Sequence, residues 1–97
     1  MGATGTATLN FGAASAQTLD TSVAVTGQAG ILSGSQVEAY LMADTTSDHS
    51  ADEHVMAAQM MDLVCGAIVA GTGFTIFATV RENAGLVGQF TVHWVWV

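Results

Sequence analysis

The chain is 97 residues long, with 51% hydrophobic residues, only 9% charged ones, and a net charge of −7 from a single Lys or Arg against eight Asp and Glu. Soluble domains usually carry about 25% charged residues, so part of this surface is expected to be covered in an assembly. Arg81 is the one basic residue and cannot neutralise a phosphate backbone, which excludes nucleic acid as a partner and argues equally against an anionic membrane surface.

In chain order, Thr4 to Phe11 alternates strictly, with Thr4, Thr6, Thr8 and Asn10 on one face and Ala7, Leu9 and Phe11 on the other. That period of two predicts a strand half covered by a core. Gly12 to Thr21 is rich in Ala, Ser and Gln and reads as a loop. Ser22 to Thr26 places Val23 and Val25 on a common face and predicts a short strand, closed by the turn Gly27-Gln28-Ala29-Gly30. After Ser33-Gly34-Ser35, Gln36 to Met42 alternates again, Val37, Ala39 and Leu41 opposing Glu38, Tyr40 and Met42. Apolar residues on both faces suggest a central strand, or a face that meets another subunit.

The polar heart of the chain follows. Five of the eight acidic residues, Asp44, Asp48, Asp52, Glu53 and Asp62, lie in one stretch. Ser50 followed by Glu53 matches a capping box, in which the hydroxyl and the carboxylate satisfy free backbone N–H groups at a helix start. Helix formers continue from Ala51 to Leu63, but the apolar positions form no clean stripe. The favoured reading is one helical turn over Ser50–His54 followed by a strand, with a longer helix as its rival.

Leu63 to Val80 contains 18 residues without a charge, long enough for a membrane span. Gly66, Gly71 and Gly73 interrupt it, and Gly71-Thr72-Gly73 followed by alternating Phe74 to Arg81 predicts a turn between two buried strands. Asn83-Ala84-Gly85 then suggests a hairpin loop whose return strand runs from Leu86 to Val97, with Val92, Trp94 and Trp96 on one face and Thr91, His93, Val95 and Val97 on the other. The expected fold is all-β: a single domain over residues 1–97, an antiparallel sandwich or small barrel of immunoglobulin-like or jelly-roll-like type, with one short helical turn near Ser50–His54.

Chemistry is sparse. Asp48, His49, Asp52 and His54 could in principle hold a divalent ion, but the His-x4-His spacing fits neither a helical zinc pair nor an alternating strand pair. The preferred reading is a solvated acidic turn that caps a helix, with no metal and no cofactor. No nucleophile elbow, P-loop or dinucleotide turn is present, so no catalytic residue is assigned and no enzyme is expected. Cys65, in Leu-Val-Cys-Gly-Ala-Ile, reads as a small buried thiol without an intrachain partner. Trp94 and Trp96 read first as core, with a subunit interface as the rival; Tyr40 and Phe77 complete the interface candidates.

Four runs carry a resemblance: Ser22-Val23-Ala24-Val25-Thr26-Gly27-Gln28-Ala29-Gly30-Ile31, Ser35-Gln36-Val37-Glu38-Ala39-Tyr40, Thr46 to His54, and Ala67 to Ile76. Together they resemble small all-β virion proteins of tailed bacteriophages. The resemblance implies a strand after the acidic turn, although Met56, Met60 and Met61 depart from it and keep the longer helix open. It also implies a capsid decoration or cement subunit, or failing that a tail or fibre module; a small enzyme, or a metal-binding protein using the Asp48–His54 cluster, is a distant third reading that rests on the residues alone. The implied partners are further copies of the chain in a homo-oligomer, a trimer by preference, and the major capsid protein or other virion proteins. The implied location is the virion, assembled in the host cytoplasm; no basic segment leads an apolar one at the amino end, so no secretory signal is expected.

Overall fold

Alternation of apolar and polar residues sets the architecture. The computed structural model describes residues 2–12, 19–81 and 86–97. Among them are strands β1 (Ala3–Asn10), β2 (Asp20–Val25) and β3 (Val37–Leu41), helix α1 (Ala51–Met60), and strands β4 (Met61–Val69), β5 (Gly73–Val80) and β6 (Gln89–Trp96). They form two three-stranded antiparallel sheets, ordered β1-β6-β3 and β2-β5-β4. The fold is thus a small all-β sandwich in which β1 lies beside β2 and β3 beside β4.

Each strand turns one face inward, as its period of two dictates. Leu9 from β1, Val25 from β2, Phe74, Ile76, Ala78 and Val80 from β5, and Phe90, Val92, Trp94 and Trp96 from β6 make the buried centre. Burying each large side chain contributes about 1.5–3 kcal/mol. Both tryptophans sit on the inner face of β6, opposite small residues of β1: Trp94 pairs with Gly5 and Trp96 with Ala3. A Cβ at Gly5 would fall 2.9 Å from Trp94 Cε2 and closer still to Cζ2, so the glycine makes the room that the indole fills. Trp94 meets Phe74 edge-on at 5.4 Å, and Trp96 Nε1 donates to Gln28 Oε1 at 3.0 Å.

Three expectations need correction. The helix is ten residues long, reaching Met60, so Val55–Met60 follows the rival reading, and the strand starts only at Met61. Once the capping box has satisfied the first turn, the Ala, Met and Gln of this run propagate it. Secondly, β5 and β6 form no hairpin. Each is the centre of its own sheet, with both edges occupied, so the chain must cross from one sheet to the other; Asn83, Ala84 and Gly85 lie outside the described residues. Thirdly, β3 is an edge strand, not a central one. The Leu63–Val80 stretch, by contrast, is the β4–β5 hairpin, turning through Gly71 with φ +76°. Ala67-Ile68-Val69 is the end of β4, beyond a bulge at which Ala67 takes a φ of 50°.

Candidate functional site

The polar stretch performs a structural task that its composition conceals. β3 ends at Leu41, opposite Val92, whereas β6 begins at Gln89. The first part of β6 therefore has no strand on its β3 side, and its backbone groups there need other partners. Side chains between Thr46 and His54 supply them. The Thr46 hydroxyl lies between the Asp48 carboxylate, at 2.9 Å, and the Gln89 carbonyl oxygen, at 2.8 Å. Asp48 accepts from the Gln89 N–H at 3.1 Å. His49 Nε2 donates to the Val87 carbonyl at 2.6 Å, and its ring stacks on Phe90 with centroids 4.1 Å apart. His54 is fully buried; its Nδ1 donates to the Ser50 carbonyl at 2.9 Å and its Nε2 accepts from the Thr91 N–H at 3.0 Å. Further along, His93 Nε2 is bonded to Asp44 Oδ2. All three histidines of the chain thus hold this segment and α1 against β6.

Local sequence explains the geometry. The Ser50 hydroxyl accepts from the Glu53 N–H at 3.3 Å while Glu53 Oε1 accepts from the Ser50 N–H at 2.7 Å, completing the predicted capping box. The Ser50 N–H holds the Glu53 carboxyl below the usual range. At Asp48, burial works to raise the pKa, but hydrogen bonds from Thr46 and the Gln89 backbone outweigh it and the net direction is downward. Gly88 sits where these groups converge: its φ of +81° is one that L side chains rarely adopt, and a Cβ there would displace the Asp48 carboxylate.

The four metal candidates do not converge. His54 points inward to Thr91, and His49 points along β6 to Val87. Asp48 faces Gln89, and Asp52 is exposed in the first turn of α1, where its charge complements the helix dipole. Among the described residues no group of three or more His, Cys, Asp or Glu is placed to hold a metal. The expectation that the acidic turn is merely solvated also needs correction, because Asp44, Asp48, His49 and His54 are turned onto β6.

The interface candidates separate into two pairs. Trp94 and Trp96 are each 5% exposed and belong to the core, which removes them as contact residues. Tyr40 and Phe77 remain on the surface, on opposite outer faces. On the β1-β6-β3 face Tyr40 stacks on His93 at 5.8 Å, in a row completed by Thr6. On the β2-β5-β4 face Phe77 stands between Ser22 and Val64, with Ala24, Thr75 and Gly66 as the next row. Asp20, Thr79 and Asp62 form the row on the other side of Phe77, and Arg81 binds Asp62 Oδ1 at 2.7 Å. The middle of this face carries no charge. Val64 and Val69 are exposed parts of it that sequence reasoning missed; the alternation of Asp62, Val64 and Gly66 against Met61, Leu63 and Cys65 carried the signal, hidden by the uncertainty over the preceding helix. Cys65 is half-buried, and burial, aided by the nearby charge of Glu38, pushes its thiol pKa up, which does not make a reactive nucleophile. No family model, characterised protein or solved structure matches the chain.

Proposed function

We propose that this protein is a non-enzymatic structural subunit of a tailed-phage virion, attached to the outside of the capsid as a decoration or cement protein. The observation that carries the assembly reading is the outer face of the β2-β5-β4 sheet, where exposed Phe77 and Val64 stand side by side and the neighbouring row, Ala24, Thr75 and Gly66, carries no charge. Contiguous exposed apolar surface on a small domain marks a contact site. The phage assignment itself rests on the sequence runs already described, above all Ser22–Ile31 and Thr46–His54.

The mechanism follows from multiplicity. Each copy bridges neighbouring shell subunits with modest contact area, and repetition over a closed lattice turns weak contacts into strong attachment. The polar segment contributes by fixing one end of the sandwich, so that the faces presented to the shell are rigid. The test is to mix purified chain with tail-less heads that lack it and to measure copies bound per particle together with the temperature at which the heads open. Hundreds of copies and a raised opening temperature support the cement role. Absence from heads with tens of copies on tails transfers the protein to the tail or fibre role, and binding to neither removes the virion reading.

A further inference from the structure

The phase of the hydrogen bonds in the β1-β6-β3 sheet decides which backbone groups are left over. Gln36 and Val97 exchange both of their backbone hydrogen bonds, at 3.0 Å each. In the antiparallel register this directs the N–H and C=O groups of His93, Val95 and Val97 toward β3, and those of Val92, Trp94 and Trp96 toward β1. Their partners on β1 are Ala7, Gly5 and Ala3. The backbone groups of Thr4, Thr6, Thr8 and Asn10 therefore point away from the sheet. Asn10 agrees with this phase, since its carbonyl accepts from Thr21 Oγ1 at 3.0 Å. Among the described residues, the N–H and C=O groups of Thr4, Thr6 and Thr8 have no partner.

Such an edge is a template for another strand unless it is blunted by charge, proline or a bulge. The other three edge strands are blunted: β2 carries Asp20, β3 carries Glu38, and β4 carries Asp62 and the bulge near Ala67. β1 alone has no charged residue and keeps an unbroken register over eight residues. The chain contains no proline and no lysine with which to protect it.

We propose that β1 pairs through this edge with β1 of a second copy, antiparallel about a two-fold axis. A second copy is the occupant that the edge itself specifies, because an antiparallel strand is its own complement and the resulting contact closes. Charge selects the same approach: two chains of net charge −7 meet with least repulsion over an element that carries none. With Thr6 opposite Thr6 and Thr4 opposite Thr8, the outward threonines form cross-strand pairs, a combination that stabilises antiparallel ladders. The two three-stranded sheets become one of six, β3-β6-β1-β1-β6-β3. The assembly is then a dimer, in place of the trimer expected from the sequence resemblance.

The test is sedimentation of the full chain over a concentration series, with the variants Thr6→Pro and Thr6→Lys. Proline at Thr6 removes an N–H that points outward, not one bonded to β6, so circular dichroism should stay that of the parent chain, and the urea midpoint should match that of the parent measured at concentrations where it is dissociated. Lysine leaves the backbone intact and sets two like charges opposite each other at the axis. The expected result is a parent dimer whose dissociation constant rises at least tenfold in each variant, with the Thr4, Thr6 and Thr8 amides protected from exchange only in the dimer. A parent chain that is monomeric throughout, or an oligomer that both folded variants leave intact, overturns the proposal. The pairing and the virion role fail separately: a monomer that still decorates heads removes the first, and a dimer that binds no particle removes the second.

Discussion

His54 Nε2 accepts the backbone N–H of Thr91 at 3.0 Å although the two residues stand 37 apart in the chain. An imidazole nitrogen occupies the place that a carbonyl of β3 would have filled had that strand continued past Leu41. His54→Leu keeps the packing against Phe90 but leaves the N–H unpaired, and is expected to lower stability by about 1–3 kcal/mol. Urea unfolding gives the magnitude. Amide exchange gives the location, with Thr91 losing protection while Val92 and Trp94, bonded toward β1, retain theirs. Uniform loss along β6 would count against the local account.

Trp94 and Gly5 make a second long-range pair. The ring is closed in by Phe74 on the opposite sheet, so it cannot retreat when a methyl group is placed at Gly5. Gly5→Ala is expected to cost about 1–3 kcal/mol through overpacking, and Trp94→Ala about 3–5 kcal/mol through the cavity it leaves. The double variant Gly5→Ala, Trp94→Phe should lose less than the sum of its single changes, because the smaller ring accepts the methyl. Strict additivity in urea unfolding would show that the two positions do not compete for the same space.

Much of this core was legible before any coordinates. A strand with one face in the core exposes its period directly, so Val23 and Val25, Phe74 to Val80, and Val92 to Trp96 declare their inner faces. The capping box at Ser50 and Glu53 was equally plain, because its partners are three residues apart. What escaped were pairings between distant segments. Nothing local to Asp44–His54 says that β3 stops short of the start of β6, so its carboxylates and imidazoles could be read only as solvated groups or metal candidates. For the same reason β5 and β6, with a turn-like sequence between them, suggested a hairpin; only the neighbours already bonded to each strand show that both are central.

Acid should loosen the molecule at defined places. The Ser50 N–H lowers the Glu53 pKa from its ordinary 4.5. Arg81 lowers that of Asp62 from 3.8. Asp48 moves the same way, its hydrogen bonds outweighing burial. A carboxyl whose folded pKa is depressed binds protons more readily in the unfolded chain. Its contribution is therefore present above the ordinary value and is lost as pH falls through the folded one. The urea midpoint is expected to decline below about pH 4.5 through these three groups. Replacing them as Asp48→Asn, Glu53→Gln and Asp62→Asn should flatten that decline. An equally steep fall in the triple variant would assign the acid sensitivity to other groups.

Phe77 and Val64 are register neighbours on β5 and β4, 43% and 63% exposed, and carry little of the fold's stability for their size. Val64→Thr preserves shape and should change stability by no more than about 0.5 kcal/mol. Phe77→Ser should cost about 1 kcal/mol, since much of the ring is already in water. If the β2-β5-β4 face is the surface that meets the capsid, each change weakens attachment to heads at least about tenfold, equivalent to about 1.4 kcal/mol. Thr6→Lys, on the other sheet, then provides the contrast: it is aimed at the proposed pairing between copies and leaves Phe77 and Val64 in place. Titrating heads with labelled protein separates the effects. Undiminished binding of both face variants would move the contact off this sheet, and Tyr40 with its stacked His93 would become the next surface to test.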